Sequence, residues 1–233
     1  MDEQEFIKLS TQLRADCTSI PTEWPDMQND IADYKLKFSI YSVSKLSDLE
    51  KKITGFDEPL KIYYRRRWFI AKCAECDEYL FYKNNDVIKN PQRKSKAWDV
   101  RIDKTYEVND QTFLCTYYFD VKGTDIPKKF IGGYDTAISA PYKLIPFYYN
   151  KQSKGVRFDM QNRLFIVHHS LVSAQRTNAL RCDWETKEEG IKRFLSGIND
   201  MVFYSYRGCT AGLIFVIDEG SASPRIFIPG LDE

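Results

Sequence analysis

Two stretches of strict apolar and polar alternation, on either side of Asn109-Asp110, constrain this chain more than anything else in it. Successive side chains of a strand point to opposite faces, so a period of two describes a strand with one face on a core and one in water. In the first stretch Trp98, Val100, Ile102, Tyr106 and Val108 share a face, interrupted by Lys104, and Asp99, Arg101, Asp103, Thr105 and Glu107 take the other. In the second, Phe113, Cys115, Tyr117, Phe119 and Val121 oppose Thr112, Thr116, Tyr118, Asp120 and Lys122. Asn109-Asp110 reads as a two-residue hairpin turn. With that loop Val108 pairs with Gln111, and counting back sets Asp99 directly across from Asp120. The faces check this register independently: Val100 meets Phe119 and Arg101 meets Tyr118, whereas a slip of one residue would send each set to the wrong side.

The hairpin sits in a chain of 233 residues, enough for one full domain and its core. Residues 1–59 read as an acidic helical segment packed on the rest, with Ile31, Tyr34, Phe38 and Tyr41, then Leu46, Leu49 and Ile53, at helical spacing and breaks near Pro25 and Gly55. A second helix is predicted over about Leu60–Phe81, with Phe69, Cys73, Cys76 and Leu80 on its apolar face and Lys72, Glu75 and Glu78 turned away. Asn84–Lys96 reads as a polar loop, and residues 124–162 as a loop-rich, basic insertion mixing lysines with aromatics. A strand is expected at Arg163–His169, and a helix from Thr186, capped by its hydroxyl and Glu189. Strands at Met201–Tyr206 and Ala211–Ile217 close the chain. The fold class is therefore mixed α/β, a central mixed sheet flanked by helices, with residues 60–233 as the core.

Charge is unevenly placed. The chain as a whole carries +1, but residues 1–60 carry −5 and residues 83–163 carry +6, so a basic stripe that could follow a polyanion lies in the middle; a solvated basic face without a partner fits as well. The longest apolar run, Leu213–Ile217, is too short to cross a bilayer, and the acidic start lacks the layout of a signal peptide. A cytoplasmic protein without a membrane partner is expected. Six dispersed cysteines are expected to be free thiols.

Two carboxylates facing each other across the wet side of a hairpin repel unless something compensates them. A divalent cation held by oxygen ligands is one solution, and Mg²⁺ takes few protein carboxylates and keeps water and phosphate oxygens. Lys122, two residues from Asp120 on the same face, would place an ammonium beside that ion, where it could orient a water or stabilise charge on phosphorus. Gly123 reads as leaving room for a substrate backbone. The plain alternative is a surface hairpin in which Arg101 or Lys122 merely neutralises the acids.

At these residues, Asp99 in Trp98-Asp99-Val100 and then Asp120-Val121-Lys122-Gly123, the chain resembles the PD-(D/E)xK nuclease superfamily, whose fold is restriction-endonuclease-like. The resemblance implies that Asp99, Asp120 and the carbonyl of Val121 bind Mg²⁺ and that Lys122 assists the nucleophilic water. It also implies a glutamate on the preceding helix, a position that Glu75 or Glu78 could fill. Trp98 stands where the family name has proline. The family follows the lysine strand with a crossover helix and another strand, whereas here some 60 residues precede the helix at Thr186, so residues 124–170 are an insertion or the strand order differs. The function so implied is a Mg²⁺-dependent endonuclease on duplex DNA, of restriction type and working as a homodimer. The alternatives are a non-catalytic nucleic-acid or protein-binding module and a nuclease for RNA or branched DNA. Lys94, Lys96, Lys128, Lys129 and Arg176 are the candidate nucleic-acid contacts, Gln175 beside them; for Arg176 a capping or salt-bridge role competes.

Other motifs carry less. Cys73 and Cys76 have the spacing of half a zinc site but lie on an apolar helical face without a second pair, which fits core thiols. His168 and His169 flank no nucleophile elbow, and neither a Walker nor a Rossmann glycine pattern occurs.

Overall fold

The structure is a computed structural model that describes residues 1–24, 32, 35–92, 97–151 and 162–232. Helix α1 (Glu3–Asp16) opens on a capping box in which Asp2 accepts from the Glu5 N–H and Glu5 answers to the Asp2 N–H. Helix α2 (Leu46–Ile53) and the long α3 (Glu58–Tyr82) follow, the latter started by Asp57, which accepts from the Leu60 N–H, and by Pro59 in the first turn. Strands β1 (Val87–Lys89), β2 (Val100–Val108) and β3 (Gln111–Asp125) form an antiparallel meander. Short helices α4 (Gly133–Ser139) and α5 (Leu144–Lys151) precede β4 (Arg163–Ser170), which lies parallel to β3. Helices α6 (Ala174–Leu180) and α7 (Trp184–Ser196) lead through β5 (Tyr204–Tyr206) to β6 (Cys209–Asp218), parallel to β4, and β7 (Arg225–Phe227) pairs with β6. One mixed sheet of seven strands results, ordered β1-β2-β3-β4-β6-β5 with β7 beside β6, and the expected α/β class is the observed one.

Helices cover both faces. On one face Phe119, Val121, Leu164, Ile166, Ile214 and Val216 pack against α3 and α7, together with Leu13, Cys17 and Ile20 from the N-terminal segment. On the other, Phe165, Val167, Leu213 and Phe215 pack against Ala137, Leu144, Ile145 and Tyr148 of α4 and α5. Strands β4 and β6 are buried on both sides over most of their length, which explains their nearly continuous apolar runs. The N-terminal segment is fixed to the core by polar contacts too: Trp184 Nε1 donates to the Ser10 carbonyl, and Asn178 to that of Ile20.

The predicted hairpin register is the observed one, from Val108↔Gln111 to Val100↔Phe119. Asn109 and Asp110 have φ of 50° and 62°, the left-handed pair that a tight two-residue turn requires. Several expectations are corrected. The hairpin outruns the core: Val100, Ile102, Phe119 and Val121 are buried, but Tyr106 and Phe113, expected on the same inner face, are exposed and stack on each other at 5.5 Å. Lys72 on α3 is buried instead of turned to water, because that helix lies between the sheet and the N-terminal helices. Asn84–Lys96 contains β1, too short to show a period. Among the described residues of 124–162, β3 runs to Asp125 and α4 and α5 lie between it and β4, so 126–151 is more helical than the loop-rich reading expects; residues 152–161 lie outside the described residues. The two helices, of 7 and 8 residues, are too short for a legible stripe. The aromatics there pin the crossover down, with Tyr148 fully buried. The helix expected from Thr186 starts at Trp184, because Asp183 is the N-cap and accepts from both the Thr186 N–H and its hydroxyl.

All six cysteines are free, with Cys73 and Cys76 in the core. No helix among the described residues is long and apolar enough to cross a membrane.

Candidate active site

Asp99 sits one residue before β2, with its backbone held on both sides. Its N–H donates to the Phe119 carbonyl at 2.9 Å, and its own carbonyl accepts from the Asn90 N–H at 3.0 Å. Asn90 also donates through its side chain to the Trp98 carbonyl, at 2.6 Å, so the entry to the strand is clamped. The Asp99 carboxylate accepts from the Val121 N–H at 2.8 Å, across the gap where β2 and β3 diverge. Val121 therefore meets Asp99 through its backbone.

Asp120 is the first residue of β3 to pair with β4, opposite Arg163, and its N–H donates to the Asn162 carbonyl at 2.9 Å. Its two oxygens have different partners. Oδ1 lies 2.6 Å from Lys122 Nζ, and Oδ2 lies 3.3 Å from Arg163 Nε. Lys122 is 39% exposed at its side chain, whereas Arg163 is 7% exposed and stacks its guanidinium over Tyr149 at 4.9 Å.

The charges are unevenly matched. Asp120 has two cations, while Asp99 and Glu78 make no ion pair among the described residues. Burial, more than the opposing pull of Lys122, pushes the Asp99 carboxyl up to about 6, helped by the like charge of Asp120. Burial and then the charge of Asp99 push Glu78 up to about 7. Glu78, on α3, is thus the helix acid that faces the pair; the structure gives no such coupling of Glu75, whose carboxylate pairs with Lys72 at 2.8 Å. Uncompensated negative charge at this spot fits a cation. No group of three or more His, Cys, Asp or Glu side chains among the described residues is arranged to hold a metal.

Gly123 does not leave room for a substrate. A Cβ there would lie 3.1 Å from Asp77 Oδ2 and 3.4 Å from Arg181 Nη1, on the opposite face of β3 from Asp120. The glycine admits a buried ionic cluster in which Lys187 pairs with Asp77 and both Arg66 and Arg181 approach Asp125, at 3.8 and 3.7 Å. His168 lies in this cluster, its Nδ1–H donating to the Thr124 carbonyl at 3.1 Å, and burial beside Arg181 and Lys187 keeps the ring neutral. His169 stacks on Tyr134 instead.

Of the predicted nucleic-acid contacts, Lys94 and Lys96 lie outside the described residues. Lys128 and Lys129 are exposed just past the end of β3, Lys128 paired with Glu23. Arg176 grips the buried Asp218 with two nitrogens, at 2.6 and 2.9 Å, and Gln175 donates to the carbonyls of Cys17 and Thr18. Both make contacts within the fold, Arg176 in the salt bridge that the sequence also allowed, although its side chain remains half exposed. Arg163 escaped the sequence reading; the one signal was a cation opening an otherwise apolar strand.

No family model, curated protein or solved structure matches the chain.

Proposed function

We propose that the chain is a Mg²⁺-dependent endonuclease acting on duplex DNA. The observation that carries this reading is the pair Asp99 and Asp120, brought together where β2 and β3 diverge, the half-buried Asp99 without an ion pair of its own among the described residues and Lys122 alongside. The element order supports it: the three-stranded meander after α3 and a crossover into a parallel strand fit the nuclease resemblance of the hairpin.

Asp99, Asp120 and the backbone of Val121 would hold the ion, which when bound supplies a polarised phosphate and a more acidic water. Asp99 is pre-set for this by the Val121 N–H, which fixes one of its oxygens. Lys122, whose side chain is partly exposed, can leave Asp120 and turn its ammonium to an attacking water or to the charge building on phosphorus. Lys128 and Lys129 offer positive charge to a phosphate backbone along the same strand's exit.

The test is nicking of supercoiled plasmid by the purified chain with Mg²⁺, with EDTA, and with Asp120→Ala. Metal-dependent nicking that falls at least 10³-fold in the variant is expected, with Lys122→Met losing about 10²–10⁴-fold. Linear duplex, branched DNA and RNA assayed side by side fix the substrate. The ion pairs of Asp120 favour a second reading, a non-catalytic nucleic-acid or protein-binding module on the same fold. Binding without cleavage under every metal and DNA form would establish that reading and overturn the first.

A further inference from the structure

The geometry points to Arg163 as a positioning residue of this site: it holds Asp120 Oδ2 so that Oδ1 is the oxygen presented to a divalent cation, with Lys122 as its removable placeholder. This rests on the metal-dependent reading above.

The two cations of Asp120 differ in their freedom. Arg163 opens β4 in register with Asp120, so its backbone is fixed by the parallel ladder on both sides, to Asp120 in β3 and to Ala211 in β6. Its guanidinium is packed over the buried Tyr149 of α5 and is almost wholly out of water. A planar cation on an aromatic face has little rotational freedom. Lys122 is the reverse, a flexible side chain 39% exposed, whose ammonium can exchange one partner for another. When a divalent cation arrives as the third, the partner released by Asp120 is therefore Lys122. The 3.3 Å approach of Arg163 Nε is an ion pair without aligned hydrogen-bond geometry, which sets the carboxylate's orientation through charge and packing. The crossover helices thereby acquire a function: α5 supplies the ring that fixes the arginine that fixes the aspartate.

Charge and position make opposite demands, so the experiment can separate them. Deleting a cation beside two carboxylates should by charge alone tighten divalent-cation binding, whereas losing a positioning group should weaken it. Mg²⁺ binding to the full chain is measured by titration calorimetry for wild type, Arg163→Met, Arg163→Lys and Lys122→Met, and plasmid nicking is followed against Mg²⁺ concentration. Arg163→Met is expected to raise the Mg²⁺ concentration for half-saturation about tenfold in both measurements, with the KM for DNA little changed. Arg163→Lys, which keeps a charge near Oδ2 without the planar group over Tyr149, should recover part of that loss. Lys122→Met should bind Mg²⁺ at least as tightly as wild type while losing turnover. Equal or tighter binding in Arg163→Met overturns the assignment. If that variant does not fold, Tyr149→Leu removes the ring and keeps the arginine; a half-saturation unchanged there overturns it equally. A wild-type chain that binds no divalent cation sinks the nuclease reading itself, and this role with it.

Discussion

Glu78 and Asp99 are half-buried carboxyls without an ion pair among the described residues, and loss of water is the larger part of what raises both. A carboxyl whose folded pKa lies above its unfolded one binds more protons folded than unfolded, so stability falls as pH rises between the two values. For Asp99 that window runs from the ordinary carboxylate range to about 6, and for Glu78 to about 7. These two carboxyls thus contribute a loss of stability with rising pH, opposed over the lower part of the window by His168 and His169, whose pKa values burial lowers, so a substitution at Glu78 isolates the carboxyl contribution. Glu78→Gln should raise the stability at pH 8 by about 1–2 kcal/mol and leave it unchanged at pH 4, measured by thermal unfolding in EDTA. Added Mg²⁺ should shrink the difference at pH 8. Of these residues, Asp99, Asp120 and Lys122 were legible in the sequence because alternation set them on one face. Glu78 was ambiguous because α3 is covered on several sides and has no clean polar stripe. Arg163 was not legible at all, since its importance depends on which strand lies next to β3.

At the scale of elements, β2 and β3 could be read, register included, because each shows nine or more residues of one period and the turn residues tolerate a left-handed backbone. Asn-Asp is nonetheless a compromise at that turn, for its second position has φ of 62° in an aspartate. Asp110→Gly removes the steric cost and is expected to stabilise the chain by about 0.5–1 kcal/mol, seen as a higher denaturant midpoint at unchanged slope. The elements that escaped the reading share one property, shortness. Strands β1 and β7 have 3 residues each, and α4 and α5 hold 7 and 8, below the length at which a period of two or 3.6 can be told from chance. The hairpin's inner face was overread for a different reason. Alternation reports a preference for burial, and the tip of an arm that extends past its helices has nothing to be buried against.

Over the whole molecule, the sheet separates two kinds of chemistry. Asp120 and Lys122 lie on one face of β3, and Val121 and Gly123 on the other, where the core and the Asp77–Lys187 cluster are packed. Thickness is thus one backbone: a catalytic proposal on one side and a folding requirement on the other are separated by a single peptide unit. Scanning mutagenesis along this strand should return its own geometry as an oscillation. Asp120→Asn and Lys122→Met are expected to stay folded and lose nicking, while Val121→Ala and Gly123→Ala lose about 1–4 kcal/mol of stability, by cavity and by crowding respectively, as read by chemical unfolding. Loss of activity and loss of protein would then beat alternately, residue by residue, so that a survey scoring only one of the two would see half of what this strand does.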